Sequence, residues 1–166
     1  MTNPLVRLRP AQLADAPDVA EIWRLGWVDA HLGRVPAELV AARDEATFRT
    51  RAEQRVGDTT VAVVGAAVAG FVMTDGDEVD QVYVAAEHRG AGVAGALLAE
   101  AERRIRAAGH GMAWLAVVPD NARARRFYER HGWRDAGPFA HAAPGPDGPI
   151  PVPCHRYVKQ LSRPDA

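Results

Sequence analysis

The segment Arg89-Gly-Ala-Gly-Val-Ala-Gly95 follows an apolar run, Val82-Tyr83-Val84, and leads into residues with helical spacing. A strand, a glycine-rich turn and a helix start in that order aim several backbone N–H groups and the positive end of a helix dipole at one point. This is a receiving site for phosphate. Glycine at 90 and 92 permits close backbone approach or a left-handed conformation. Gly90 to Gly95 also spells G-x-G-x-x-G, and Asp120 stands where a ribose-binding acid could lie. The context is wrong for a dinucleotide fold. Ala85 to Arg89 separate the strand from the first glycine, half of the chain precedes the fingerprint, and only one further helix follows it.

Two carboxylates, Glu78 and Asp80, stand at i and i+2 on the strand entering this turn. Strand alternation places both on one side with Val82 and Val84. Glu78 also adjoins the turn Asp75-Gly-Asp77 and so has a plain solvated alternative. Asp80 is deeper and requires a partner or a wet cleft. The six histidines are scattered, without H-x-x-x-H or a Cys/His pairing, so no metal site is expected. Cys154, the single cysteine, rules out an intrachain disulfide, fits a reducing compartment and reads as a small buried hydrophobe.

The pattern Arg89-x-x-Gly92-x-Ala94 is followed by Leu115-Ala-Val-Val-Pro-Asp-Asn121, then Phe127-Tyr128 and Gly132-Trp133. In that order and spacing it resembles the pyrophosphate loop and following strand–helix of the GNAT superfamily of acyl-CoA N-acyltransferases. The entering strand Glu78 to Val84 is also similar. So is Trp27-x-x-x-His31-x-Gly33-x-x-Pro36-x-x-Leu39, which resembles the first two helices of small bacterial members. The resemblance runs from Val6 to about Leu161.

This resemblance implies acetyl-CoA as cosubstrate, its pyrophosphate on the amides of Arg89, Gly90, Ala91, Gly92, Val93, Ala94 and Gly95. The pantetheine arm would lie along Val82, Tyr83 and Val84, with the Val84 N–H donating to the thioester oxygen as negative charge develops there. Asn121 would hold the arm from the far wall, and Tyr128 would protonate the leaving thiolate. Trp27 and His31 fall where acceptors enter. Each residue also has a structural role open to it: Asn121 as a helix cap, Tyr128 packed beside Phe127, Arg89 as a solvated turn arginine and Trp27 in helix packing. The implied reaction is acetyl transfer to a primary amine of a small molecule or peptide in a ternary complex; the alternative is a non-catalytic acyl-CoA sensor. A lysine-like amine, with pKa ~10.4, costs about 4–5 kcal/mol to deprotonate at pH 7, and an α-amine about 1 kcal/mol. A base such as Glu78 or Asp80 therefore matters most for the first kind.

The remaining sequence must position these groups. With 166 residues and 48% apolar content the chain suits one domain, residues 1–166. A net charge of −1 gives no global attraction to nucleic acid or anionic lipid. All basic residues but Lys159 are arginine, so arginine clusters are not by themselves binding patches. Met1 to Pro10 is broken by charge and proline, and no secretory leader is read there. The longest apolar run, Val61 to Met73, is shorter than the ~20 residues of a membrane helix. These features predict a cytoplasmic protein.

The expected elements are a strand at Val6–Arg9, a helix from Asp15–Asp18 to Val28, and a second helix from Pro36 to Arg55 whose charges form a solvated face. Strands follow at Thr59–Val64, Ala67–Thr74 and Glu78–Val84. Then come a helix from the glycine turn to Gly109, a strand at Met112–Val118, a helix at Asn121–His131 and a final strand at His155–Leu161. Six of the twelve prolines lie between Pro138 and Pro153, which predicts a long irregular loop. With the final strand, that loop is expected to cover the acceptor cleft or meet a second subunit in a homodimer. The fold class is α/β (α+β): a mixed, mostly antiparallel sheet with helices on both faces and, from the resemblance, splayed central strands holding acyl-CoA.

Overall fold

The computed structural model describes residues 5–161; the first four residues of the Met1–Pro10 segment lie outside it. In chain order the elements are β1 (Val6–Pro10), α1 (Ala16–His31), α2 (Ala37–Ala42), α3 (Glu45–Gln54), β2 (Thr59–Val64), β3 (Ala67–Asp75), β4 (Glu78–Val84), α4 (Val93–Ala107), β5 (Met112–Val117), α5 (Ala122–Arg130), β6 (Arg134–Ala143) and β7 (Ile150–Gln160). The strands form one seven-stranded sheet in the order β1-β2-β3-β4-β5-β7-β6. Only β4 and β5 are parallel neighbours, because α4 carries the chain across the sheet between them.

The apolar residues of the strands divide between two cores. On one face Val61, Val63, Phe71 and Met73 pack with Trp23 and Trp27 of α1 and Phe48 of α3. On the other, Ala62, Val72 and Leu115 meet Leu97, Leu98 and Ile105 of α4 and Tyr128 of α5. The helices cover these faces for the reason their spacing predicts: each buries one stripe.

Two expectations are corrected. The single helix read over Pro36–Arg55 is two helices. Arg43 leaves the helical region (ψ 63°), and Asp44 then caps α3 by accepting from the Thr47 N–H at 2.7 Å. A side chain that satisfies an orphan N–H starts a new helix more favourably than it continues an old one. The proline-rich segment Pro138–Pro153 is not an irregular loop, because β6 and β7 form a hairpin through it that pairs Pro138 with His155 and Ala143 with Ile150. The prolines fit because β6 is the sheet edge and β5 pairs with β7 only from His155 onward. Pro151 and Pro153, two apart, present their missing N–H to the side where no strand pairs.

Candidate active site

Between the parallel neighbours the ladder is almost absent: the one registered pair is Glu78 with Trp114. Beyond it β4 and β5 diverge. The gap opens a cleft of about 960 Å³ that is lined from both sides of the sheet, by Trp27 and His31 of α1 and by Phe127 and Tyr128 of α5. Every residue given a cofactor, catalytic or acceptor role from the sequence lines this cleft except Ala91, which is exposed.

At one end lies the glycine turn. Gly90 and Gly92 have φ of +83° and +79°, values that a side chain rarely adopts. Gly92 precedes α4 as a cap without a side chain, and the Ala96 N–H donates to its carbonyl at 3.1 Å. The N–H groups of Val93, Ala94 and Gly95 thus have no acceptor within the helix. Arg89 stands at the rim with Nη2 3.4 Å from Asp29 Oδ2.

Along the wall, the Ala85 N–H donates to the Ala69 carbonyl at 2.8 Å. Strand alternation therefore turns the N–H of Val84 away from β3 and into the gap. Asn121 caps α5, its Oδ1 accepting from the Ala124 N–H at 3.2 Å, and the residue also lines the cleft. Tyr128 packs edge-on to Phe127, and its hydroxyl makes no hydrogen bond to another side chain or backbone group among the described residues. Burial pushes its pKa upward.

The carboxylates do not stand as alternation predicts. The β3–β4 register slips between Met73, paired with Gln81, and Thr74, paired with Val79. Asp80 is the extra residue of a β-bulge, and the bulge reverses the parity of everything before it. Val79 consequently joins Val82 and Val84 in the α4-side core. Glu78 and Asp80 face the α1–α3 side instead, where Asp80 Oδ2 meets Arg55 Nη1 at 2.6 Å and Glu78 Oε1 meets His141 Nε2 at 3.4 Å. Tyr83 is on that side too, against Phe71.

At this end the structure also assembles residues that sequence reasoning passed over. His141 lies on β6, inside the segment read as a loop. Arg43 and Arg51 belong to the charges read as a solvated face, yet both line the cleft. Nothing in their spacing marks them. The Arg51 guanidinium sits 4.6 Å over the Trp23 ring. Burial, with the nearby charge of Arg43, brings its pKa down to about 10. His31 is stacked on Trp27 at 4.9 Å, with Nδ1 3.0 Å from the Trp27 carbonyl. A carbonyl only accepts, so Nδ1 carries the proton and Nε2 is left as an acceptor. Burial lowers the His31 pKa, which keeps the ring neutral. Cys154 lines the cleft as a thiol whose pKa burial pushes up to about 11. Among the described residues no group of three or more His, Cys, Asp or Glu is placed to hold a metal, and no helix is long and apolar enough to cross a membrane.

A mixed seven-stranded sheet opened between parallel central strands, with a glycine turn at the mouth of the opening, is the GNAT fold. Residues 16–133 match the model of the Acetyltransferase (GNAT) family, and the chain belongs to that family. No curated protein sequence matches it. Among solved structures it is similar to a GCN5-related N-acetyltransferase from Rhodopseudomonas palustris (TM-score 0.70, 23% identity, covering 97% of this chain and 98% of that one). It is similar also to PaiA N-acetyltransferase from Thermoplasma acidophilum in complex with coenzyme A (0.71, 16%, 94% and 99%). A third is yncA from Salmonella typhimurium with its cofactor acetyl-CoA (0.69, 19%, 98% and 97%).

Proposed function

We propose that the protein transfers an acetyl group from acetyl-CoA to a primary amine by direct attack in a ternary complex. The observation that carries this reading is the continuity of the cleft. One opening joins the unpaired N–H groups of Val93 to Gly95, the inward N–H of Val84, the Tyr128 hydroxyl and the Glu78–His141 pair. The amides of the glycine turn and the rim Arg89 suit a pyrophosphate. Val82, Tyr83 and Val84 offer the backbone edge that β5 leaves unpaired, which suits the amide-bearing pantetheine arm.

In the transfer, the amine nitrogen forms a bond to the thioester carbonyl carbon, and the carbon–sulfur bond breaks. The Val84 N–H stabilises the oxyanion. Glu78, with His141 behind it, takes the amine proton, directly or through water, and Tyr128 gives a proton to the departing thiolate. Asp80 is less suited as base, since its carboxylate already serves Arg55. Cys154 stays a thiol and is a poor nucleophile, which favours direct transfer over an acyl-enzyme.

Thiol release from acetyl-CoA in the presence of a panel of amines tests the reading, with calorimetry of CoA and NAD alongside. Amine-dependent release, together with CoA binding that is lost in Gly92→Val, is the expected result. CoA binding without release on any amine would favour a sensor, and NAD binding in place of CoA would restore the dinucleotide reading.

A further inference from the structure

The end of the cleft away from the glycine turn carries an excess of positive charge: among the described residues Asp80 pairs with Arg55 and acts on Arg43 and Arg51 only at longer range. Four arginines gather there: Arg34, Arg43 and Arg51 line the cleft, and Arg55 stands beside them on the Asp80 side. Arg55 is fully engaged, by Asp80 at 2.6 Å and Asp58 at 3.0 Å. Arg34 is exposed and donates to the Ala30 carbonyl. Arg43 and Arg51 have no carboxylate within ion-pair distance among the described residues, although both are partly buried. Of the acids of this end, Asp80 is engaged by Arg55, and Glu78 lies 3.4 Å from His141 and pairs with neither Arg43 nor Arg51. Trp23 supports the face of the Arg51 guanidinium, which leaves the edge, with its N–H fork, for another partner.

We propose that the acceptor is a small amine that also carries a carboxylate, and that Arg51 and Arg43 bind this carboxylate. The inference rests on the acetyltransfer reading and names its substrate class. A guanidinium removed from water without a counter-ion is costly, and a bound carboxylate would remove that cost through paired charge-assisted hydrogen bonds. The placement suits the chemistry. The Tyr83 hydroxyl feels the charges or dipoles of Tyr128, Asp80 and Arg51, so Arg51 and the proposed proton donor both lie near one residue of β4. A carboxylate on Arg51 then orients the amine of the same small molecule toward the thioester position. The neutral His31, which offers Nε2 as an acceptor, lines the same end and adds no competing charge.

The test compares free amino acids with their amides and their decarboxylated amines, for glycine, methionine, phenylalanine and glutamate. It measures kcat/KM by thiol release and binding to CoA-saturated protein by calorimetry. Carboxylate-bearing members should exceed their amides and amines by at least tenfold. Arg51→Met should erase that preference, raising the acceptor KM more than it lowers kcat, and Arg51→Lys should restore part of it. Arg43→Gln, at the break between α2 and α3, gives a second variant should Arg51→Met fail to fold. Equal or better use of the amides and amines would overturn the proposal while leaving acetyl transfer intact. So would acetylation confined to peptide termini, or the absence of both turnover and binding for every carboxylate member. Failure to bind acetyl-CoA in the first place would instead overturn the transferase reading beneath it.

Discussion

Asp80 Oδ2 lies 2.6 Å from Arg55 Nη1, a pairing that joins β4 to the end of α3 across 25 residues of sequence. It engages Asp80 and leaves Glu78, beside His141, as the carboxylate of the pair without an arginine partner among the described residues. Asp80→Asn is expected to lower stability by about 1.5–3 kcal/mol, as for a hydrogen bond to a charged group, and to lower thermal midpoint accordingly. Glu78→Gln is expected to cost little stability and to reduce kcat at least tenfold. Thermal melts and thiol-release kinetics on both variants distinguish the roles; the reverse pattern would transfer the base to Asp80.

Tyr128→Phe should lower kcat at least tenfold, within the ~10²–10⁴ range of general acid catalysis, with little change in the KM for acetyl-CoA. The ring still packs on Phe127, Trp133 and Tyr157. Because burial raises the phenol pKa, the proposed proton donor stays protonated through neutral and mildly basic pH. The wild-type rate should therefore rise with pH as amine or base ionises and show no fall below about pH 10. Unchanged kcat in the phenylalanine variant, where chemistry limits turnover, would reduce Tyr128 to packing.

Gly26, in the middle of α1, leaves room for the Tyr83 ring: a Cβ there would collide with Tyr83 Cδ1. In an ordinary helix, glycine to alanine gains about 1 kcal/mol. Here Gly26→Ala is expected to lower the thermal midpoint and weaken acetyl-CoA binding, since Tyr83 must move in the wall of the cleft. A stabilised variant with unchanged calorimetry would show that the ring is free to yield.

His31 provides a pH test. Burial, followed in smaller measure by the charges of Arg34 and Arg43, lowers its pKa below the ordinary 6.5, while the Trp27 carbonyl opposes the shift. A depressed folded pKa means that the unfolded chain binds the proton first. His31 therefore subtracts stability as pH falls below about 6.5 toward its folded value. Imidazole NMR should show an Nδ1–H tautomer and a midpoint below 6.5, and His31→Gln should flatten the acid loss of stability. A midpoint at or above 6.5 would refute the neutral, acceptor-bearing ring.

Much of this site is legible in the sequence. Gly90 and Gly92 declare a turn because only glycine takes such φ freely, and the apolar period after Val93 declares the helix whose start faces the turn. Asn121 and Phe127-Tyr128 follow at a spacing that one strand–helix unit imposes. These are local matters, written in backbone freedom and in the periods of helix and strand. The bulge at Asp80 is not local. It depends on how β4 registers against β3, and one inserted residue turned both carboxylates to the opposite face. His141 entered the site because Pro138–Pro153 pairs as a sheet edge, where proline lacks no partner. Arg51 became a cleft residue because α3 packs Phe48 against Trp23, which brings its guanidinium over the Trp23 ring, and Arg43 because α2 ends at it. Sequence alone determined the family, the strand–turn–helix and its tyrosine. Register, edge position and helix docking, which are set by contacts between distant segments, decided which charges meet in the cleft.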